Sequence, residues 1–195
     1  MRELRFSALF NKDEKYIEPG EFYASSADIV ISTLLGSCIS VALYDASLHL
    51  GGLNHFMLPF KKLSGYGEEE TKAKYGIHAM ELLINDIMRR GGRKKNLRAK
   101  VFGGSSILAF QGKAAYDIPK MNIRFAFEFL ETEKIPVDSY SVGGLKGRRI
   151  YFFPDDARVM MKYSDFSAGS LIWQETQYAH RLMEETENSG KPVLF

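Results

Sequence analysis

The chain has 195 residues, 45% of them hydrophobic and 26% charged, with a formal net charge of +2. That is enough sequence for one domain with its own core, and the near-neutral balance gives no footing for a nucleic-acid partner. The apolar runs are too short for a membrane span, the N-terminus MRELRFSALFNKDEK shows no cleavage signature, and one cysteine cannot form an internal disulfide. No signal peptide and no direct membrane insertion are therefore expected, and a reducing, cytoplasmic setting is the simplest expectation.

Residues 1–15 are expected to form an N-terminal extension, 16–164 the folded domain and 165–195 a C-terminal helical tail. The stretch YIEPGEFY (16–23) reads as a short extended segment bent at Pro19-Gly20. Residues 28–35 are apolar and β-branched, which suits a buried strand. After Cys38, Ile39, Val41 and Leu43 alternate with Ser40, Ala42 and Tyr44 at the period of a strand. A turn over 45–49 leads to a returning strand over 50–58, stopped by Pro59, so the two should form a hairpin. Gly51 and Gly52 within it call for a bulge or a close backbone approach.

Residues 61–70 are Gly-rich and charged, as in a loop. From about Thr71, Met80, Leu83, Ile84, Ile87 and Met88 recur at helical spacing until Gly91-Gly92 closes the helix. A strand follows through Leu97, Ala99 and Val101 to Gly103-Gly104. A second helix is expected over 122–133, with Ile123, Ala126, Phe127 and Leu130 on one face. Strands over 135–142, 148–153 and 158–163 come next, the last two a hairpin through Pro154-Asp155-Asp156. A weaker amphipathic helix runs from Leu171 to about Glu187, with Tyr178 and Leu182 aligned. About eight strands and two internal helices predict an α+β fold, a single-domain sandwich of mainly antiparallel strands flanked by helices.

A lone cysteine is most often a small buried filler. Two features raise Cys38 above that. Gly36-Ser37 before it is turn chemistry, and His55 stands at the far end of the returning strand, where a hairpin can bring an imidazole beside the thiol. Cysteine and histidine are the minimal kit for covalent hydrolysis of a carbonyl compound. His49 and His180 read as solvated and His78 as structural. No pair of histidines has metal-ligand spacing, so no metal and no cofactor are expected. The basic run RRGGRKK (89–95) reads as a helix C-terminus and solvated loop. The glycine pairs at 103–104 and 143–144 lack a phosphate-loop pattern; they permit close approach to another strand or to a substrate.

These motifs make the chain recognisable. TLLGSCISVALYD followed by GGLNHFMLP closely resembles the signature of the CheD family of chemoreceptor glutamine deamidases. The likeness continues through KYGIHAMELLINDI, LRAKVFGGSSIL, IPKMNIRFAFEFLETEKIPV and VGGLKGRRIYF, covering roughly 19–163. The resemblance implies hydrolysis of receptor glutamine side chains to glutamate with release of ammonia, and a fold similar to the catalytic domain of cytotoxic necrotizing factor toxins. Its implied partners are methyl-accepting chemotaxis receptors, through their cytoplasmic helical bundle, and a CheC-type phosphatase. A non-enzymatic role as the regulatory partner of that phosphatase is the alternative reading.

Carried across residue by residue, the resemblance makes Cys38 the nucleophile and His55 the general base. The third member, a hydroxyl that orients the imidazole, is either Ser32 or Thr33. Strand parity favours Ser32, an even offset from Cys38, whereas a kink at Gly36-Ser37 would bring Thr33 round instead. Gly36, Ser37, Gly103 and Gly104 are the candidate substrate-binding positions, the N–H groups of the turn at 36–38 being the nearest donors for an oxyanion. A strand rather than a helix follows Cys38, so activation of the thiol falls to His55.

Overall fold

The computed structural model describes residues 4–58, 68–106, 118–164, 177, 178 and 181, with backbone only at 68–74. Ten strands and two helices are formed among them. The first sheet has the order β1 (Arg5–Ser7), β2 (Lys12–Tyr16), β4 (Ile29–Leu35), β9 (Gly147–Phe153), β10 (Arg158–Ser164). The second has the order β3 (Phe22–Ser25), β6 (Leu50–Asn54), β5 (Ile39–Asp45), β7 (Arg98–Gly103), β8 (Val137–Val142). Pairing is antiparallel except for β2 with β4 and β7 with β8. The fold is thus α+β, with two mostly antiparallel sheets.

The layers follow from the alternation along β5 and β6. Ile39, Val41, Leu43 and Leu50 join Met80, Leu83, Ala126 and Leu130 in one core, beneath α1 (Glu68–Arg89) and α2 (Ile118–Thr132). Ala42, Tyr44 and Leu53 point the opposite way and meet Ile29, Ile31 and Phe152 of the first sheet. The second sheet is therefore the middle layer, and both helices cover one side of the sandwich. The Gly51-Gly52 pair marks this position. A Cβ on Gly51 would lie 2.7 Å from the Phe152 ring, and one on Gly52 would lie 2.6 Å from Leu83 Cδ1. With layers this close on both faces, only hydrogen fits at either residue.

Several boundaries differ from the sequence expectation. Residues 1–15 contribute β1 and most of β2, and β2 pairs along β4. Their polar alternation (RFS, KDEKY) conceals an edge ribbon with little apolar burial. The returning strand stops at Asn54, although Phe56 still bridges Ile39. Helix α2 begins at Ile118, and its buried face is Ile118, Asn122, Ala126, Phe129 and Leu130, with Ile123 and Phe127 only partly covered. Met88 is exposed at the end of α1. The β9–β10 hairpin and the α1 stop at Gly91, with a φ of 102°, are as the sequence predicts. Among the described residues no helix is long and apolar enough to cross a membrane. The expected loop at 61–70 and the tail helix from Leu171 fall almost wholly outside the described residues.

Candidate active site

Strands β4 and β5 belong to different sheets, so the chain crosses the sandwich through Gly36, Ser37 and Cys38. That crossing is held by its carbonyls. Gly36 O accepts from Ser105 N at 2.6 Å, Ser37 O from Asn122 Nδ2 at 2.9 Å, and Cys38 O from Gly104 N at 2.7 Å. The Gly103-Gly104 pair thus makes its close approach to another main-chain segment, the one bearing the thiol. Gly103 has a φ of 111°, and a Cβ there would strike the Cys38 carbonyl oxygen. Cys38 is fully buried among Leu35, Met57, Phe102, Ile118 and Ile150.

His55 lies just beyond β6. Its peptide is clipped on both sides, His55 N donating to Glu21 O at 2.9 Å and His55 O accepting from Gly20 N at 2.7 Å. The β5–β6 register runs from Asp45–Leu50 through Ala42–Leu53 to the Ile39–Phe56 bridge. In this register Ser40 falls opposite His55, and Cys38, one residue past the bridge, follows on the diagonal side.

The first sheet supplies a hydroxyl. Thr33, on the face of β4 that carries Ile31 and Leu35 into the inter-sheet core, places Oγ1 2.8 Å from His55 Nδ1. Its one proton is donated to Ile17 O at 2.9 Å. A hydroxyl has a single donor, so Thr33 must accept from His55, which fixes the proton on Nδ1 and leaves Nε2 as the basic nitrogen. Among the described residues Nε2 is buried with no hydrogen-bond partner. Ser32 faces the other way and donates to Glu14. The crossing at Gly36-Ser37 breaks the strand alternation, so parity counted back from Cys38 does not carry through to β4.

Burial pushes the His55 pKa from 6.5 down to about 3, so the ring is neutral at physiological pH. A cavity of about 370 Å³ lies beside it, between residues 19–22, 54–56 and α1, and is lined also by Tyr75, Tyr178 and Arg181. Tyr75 and Tyr178 pack against the cluster that holds Cys38. His78 lines the same cavity from the exposed side of α1, and His49 is exposed with Nδ1 2.6 Å from Asp155 O. His180 lies outside the described residues. The basic run after α1 is partly answered by acids, Arg89 and Arg90 meeting Asp86 and Lys94 meeting Glu133.

Sequence reasoning missed Ile17, Glu21 and Asn122. The first two act through main-chain carbonyls and leave no trace in residue type. Asn122 did leave one, as a polar residue on the apolar stripe of a helix, where asparagine is a poor helix former.

Residues 57–163 match the family described as CheD, chemotactic sensory transduction. A probable chemoreceptor glutamine deamidase CheD of Herminiimonas arsenicoxydans is 36% identical, covering 97% of this chain and 93% of its own. The probable chemoreceptor glutamine deamidase CheD 2 of Shewanella oneidensis is 40% identical, covering 92% of each. That of Methylobacillus flagellatus is 39% identical, covering 98% of this chain and 94% of its own. Among solved structures, the hypothetical protein YfiH of Bacillus licheniformis has a TM-score of 0.40 at 17% identity, over 62% of this chain and 49% of that one, a likeness too slight to say more about this fold. With relatives of this similarity along nearly its whole length, the chain belongs to the CheD family.

Proposed function

We propose that the chain is a protein-glutamine glutaminase that hydrolyses glutamine side chains of chemotaxis receptors to glutamate, acting on their cytoplasmic helical bundle. The names borne by its relatives support the substrate class. The observation that carries the chemistry is His55 held through Nδ1–H by Thr33, with the unprotonated Nε2 buried and without a hydrogen-bond partner among the described residues. An intact thiol, imidazole and hydroxyl in this arrangement favour an enzyme over a purely regulatory partner of a CheC-type phosphatase.

In the proposed reaction the Cys38 thiol passes its proton to His55 Nε2 as sulfur attacks the carboxamide carbon. The C–S bond forms, the C=O π pair moves to oxygen, and a tetrahedral oxyanion results. In this reading main-chain donors near the bend at 36–38 stabilise it. His55 returns the proton to nitrogen, the C–N bond breaks, and ammonia leaves a thioester. Water then gives a proton to Nε2 and attacks the thioester. The C–S bond breaks, and the thiolate takes the proton back. Because burial favours neutral imidazole, this proton moves during attack rather than residing on the ring beforehand.

The test is incubation of the protein with a chemoreceptor cytoplasmic fragment. Ammonia release with a gain of about one dalton per modified glutamine is expected, as amide becomes acid. No mass change at any glutamine, across receptors of the source organism, would overturn the reading.

A further inference from the structure

We propose that Asn122 is a positioning residue that sets the distance between the nucleophile-bearing and base-bearing segments; this rests on the Cys38–His55 reading above. The β5–β6 ladder ends at the Ile39–Phe56 bridge. Beyond that pair the two chains leave the sheet, one toward Cys38 and Ser37, the other toward Met57 and Leu58. Asn122 spans the gap. Its Nδ2 donates to Ser37 O at 2.9 Å, and its Oδ1 accepts from Leu58 N at 2.8 Å. One amide therefore ties the residue before the nucleophile to a residue three places after the base, continuing a connection that the ladder no longer makes.

The position is costly unless those two bonds are wanted. Asn122 is fully buried on the face of α2 that otherwise carries Ile118, Ala126 and Leu130. Ser37 and Leu58 are nearly as buried, so deleting the amide takes one hydrogen bond from a buried carbonyl and one from a buried N–H. Losing both loosens the tie between the two segments. Among the described residues, Ser105 N and Gly104 N hold carbonyls at the crossing from the β7 end, and the Asn122 amide also reaches the His55 segment. A shift of even an ångström between thiol and imidazole slows attack steeply, because proton transfer and bond formation need near-contact geometry.

The experiment uses full-length Asn122→Ala and Asn122→Asp. Alanine removes both bonds; aspartate keeps an acceptor for Leu58 N–H and, when ionised, loses the donor to Ser37 O. In both, kcat on a chemoreceptor cytoplasmic fragment should fall at least ten-fold with KM within about two-fold. Alkylation of Cys38 by iodoacetamide at pH 7 should slow in parallel. A merely structural role has the opposite signature, since looser packing exposes the thiol and leaves alkylation equal or faster. Unchanged kcat in a folded variant, or faster alkylation with a general loss of melting temperature, overturns the proposal.

Amide hydrogen exchange in the wild-type protein supplies an outcome that does not depend on any variant folding. Leu58 N–H should exchange at rates typical of the core strands, and exchange at loop rates overturns the clamp. The alkylation and exchange readings do not require deamidation. A wild-type protein that fails to deamidate would therefore sink the proposed function, while the Asn122 clamp would be judged on those two measurements.

Discussion

Thr33, in the first sheet, and His55, just past the end of β6 in the second, meet through their side chains across the sandwich, with Oγ1 2.8 Å from Nδ1. The hydroxyl proton is committed to Ile17 O, so the contact works in one direction and sets the imidazole tautomer. Removing the hydroxyl frees the ring without deleting it. Thr33→Val should lower kcat by about ten- to a thousand-fold, and Thr33→Ser should restore most of it. Ser32→Ala should leave kcat near wild type while costing about 1 kcal/mol of stability, through the lost bond to Glu14. Steady-state kinetics and urea unfolding of the three variants check this. Full activity in Thr33→Val would mean that His55 is oriented by another group.

Cys38 and His55 should separate by what each leaves behind. Cys38→Ala removes the nucleophile and should abolish deamidation with the melting temperature nearly kept, since the thiol is a small member of its cluster. His55→Asn should lower turnover by about a hundred-fold or more. Binding of the receptor fragment should stay within about two-fold, because the ring faces the reacting centre rather than the protein surface. It should also slow iodoacetamide alkylation of Cys38 at neutral pH. Isothermal titration, turnover and timed alkylation measure the three effects. Equal alkylation in both proteins would show that some other group takes the thiol proton.

The burial of His55 makes a pH prediction with a definite sign. Its folded pKa lies near 3 and its unfolded value near 6.5, so between those values the unfolded chain binds the extra proton. Stability therefore falls as pH drops below 6.5, by up to about 1.4 kcal/mol per pH unit from this one group. His55→Asn deletes the group and should flatten the curve by that amount, while the carboxylates titrate alike in both proteins. Urea midpoints at several pH values give the difference directly. The same burial predicts a pH–rate profile without an acid limb near 6.5, since the base stays neutral there. An acid limb at that pH, or parallel stability curves, would count against a buried neutral imidazole.

The parts of this site that were legible in the sequence share a physical basis. An apolar, β-branched run exposed β4, buried on both faces, and period-two alternation exposed β5, whose hairpin with β6 holds a constant register. The β1–β2 ribbon was hidden because an edge ribbon of polar residues buries little. The choice between Ser32 and Thr33 turned on a chain crossing from one sheet to the other, which strand parity cannot see. The clamps on His55 by Gly20 and Glu21 use main-chain groups, which every residue carries. Asn122 was visible only as an exception to an apolar stripe.

Gly103 should be irreplaceable for a reason that a second glycine isolates. Gly103 and Gly143 both have positive φ, at 111° and 74°. A Cβ on Gly143 meets nothing within 4 Å, whereas one on Gly103 collides with the Cys38 carbonyl oxygen. Gly143→Ala therefore pays only backbone strain, about 1–2 kcal/mol, and should leave kcat unchanged. Gly103→Ala pays that strain and must also push the Cys38 main chain, which Gly104 N holds at 2.7 Å. Moving that carbonyl moves the thiol relative to Nε2, so kcat should fall at least ten-fold. Comparing the two variants at matched unfolding free energy, by assaying Gly103→Ala at a correspondingly lower temperature, separates displacement of the nucleophile from simple loss of stability. If both variants lose activity in proportion to stability alone, the glycine at 103 serves the fold and not the placement of Cys38.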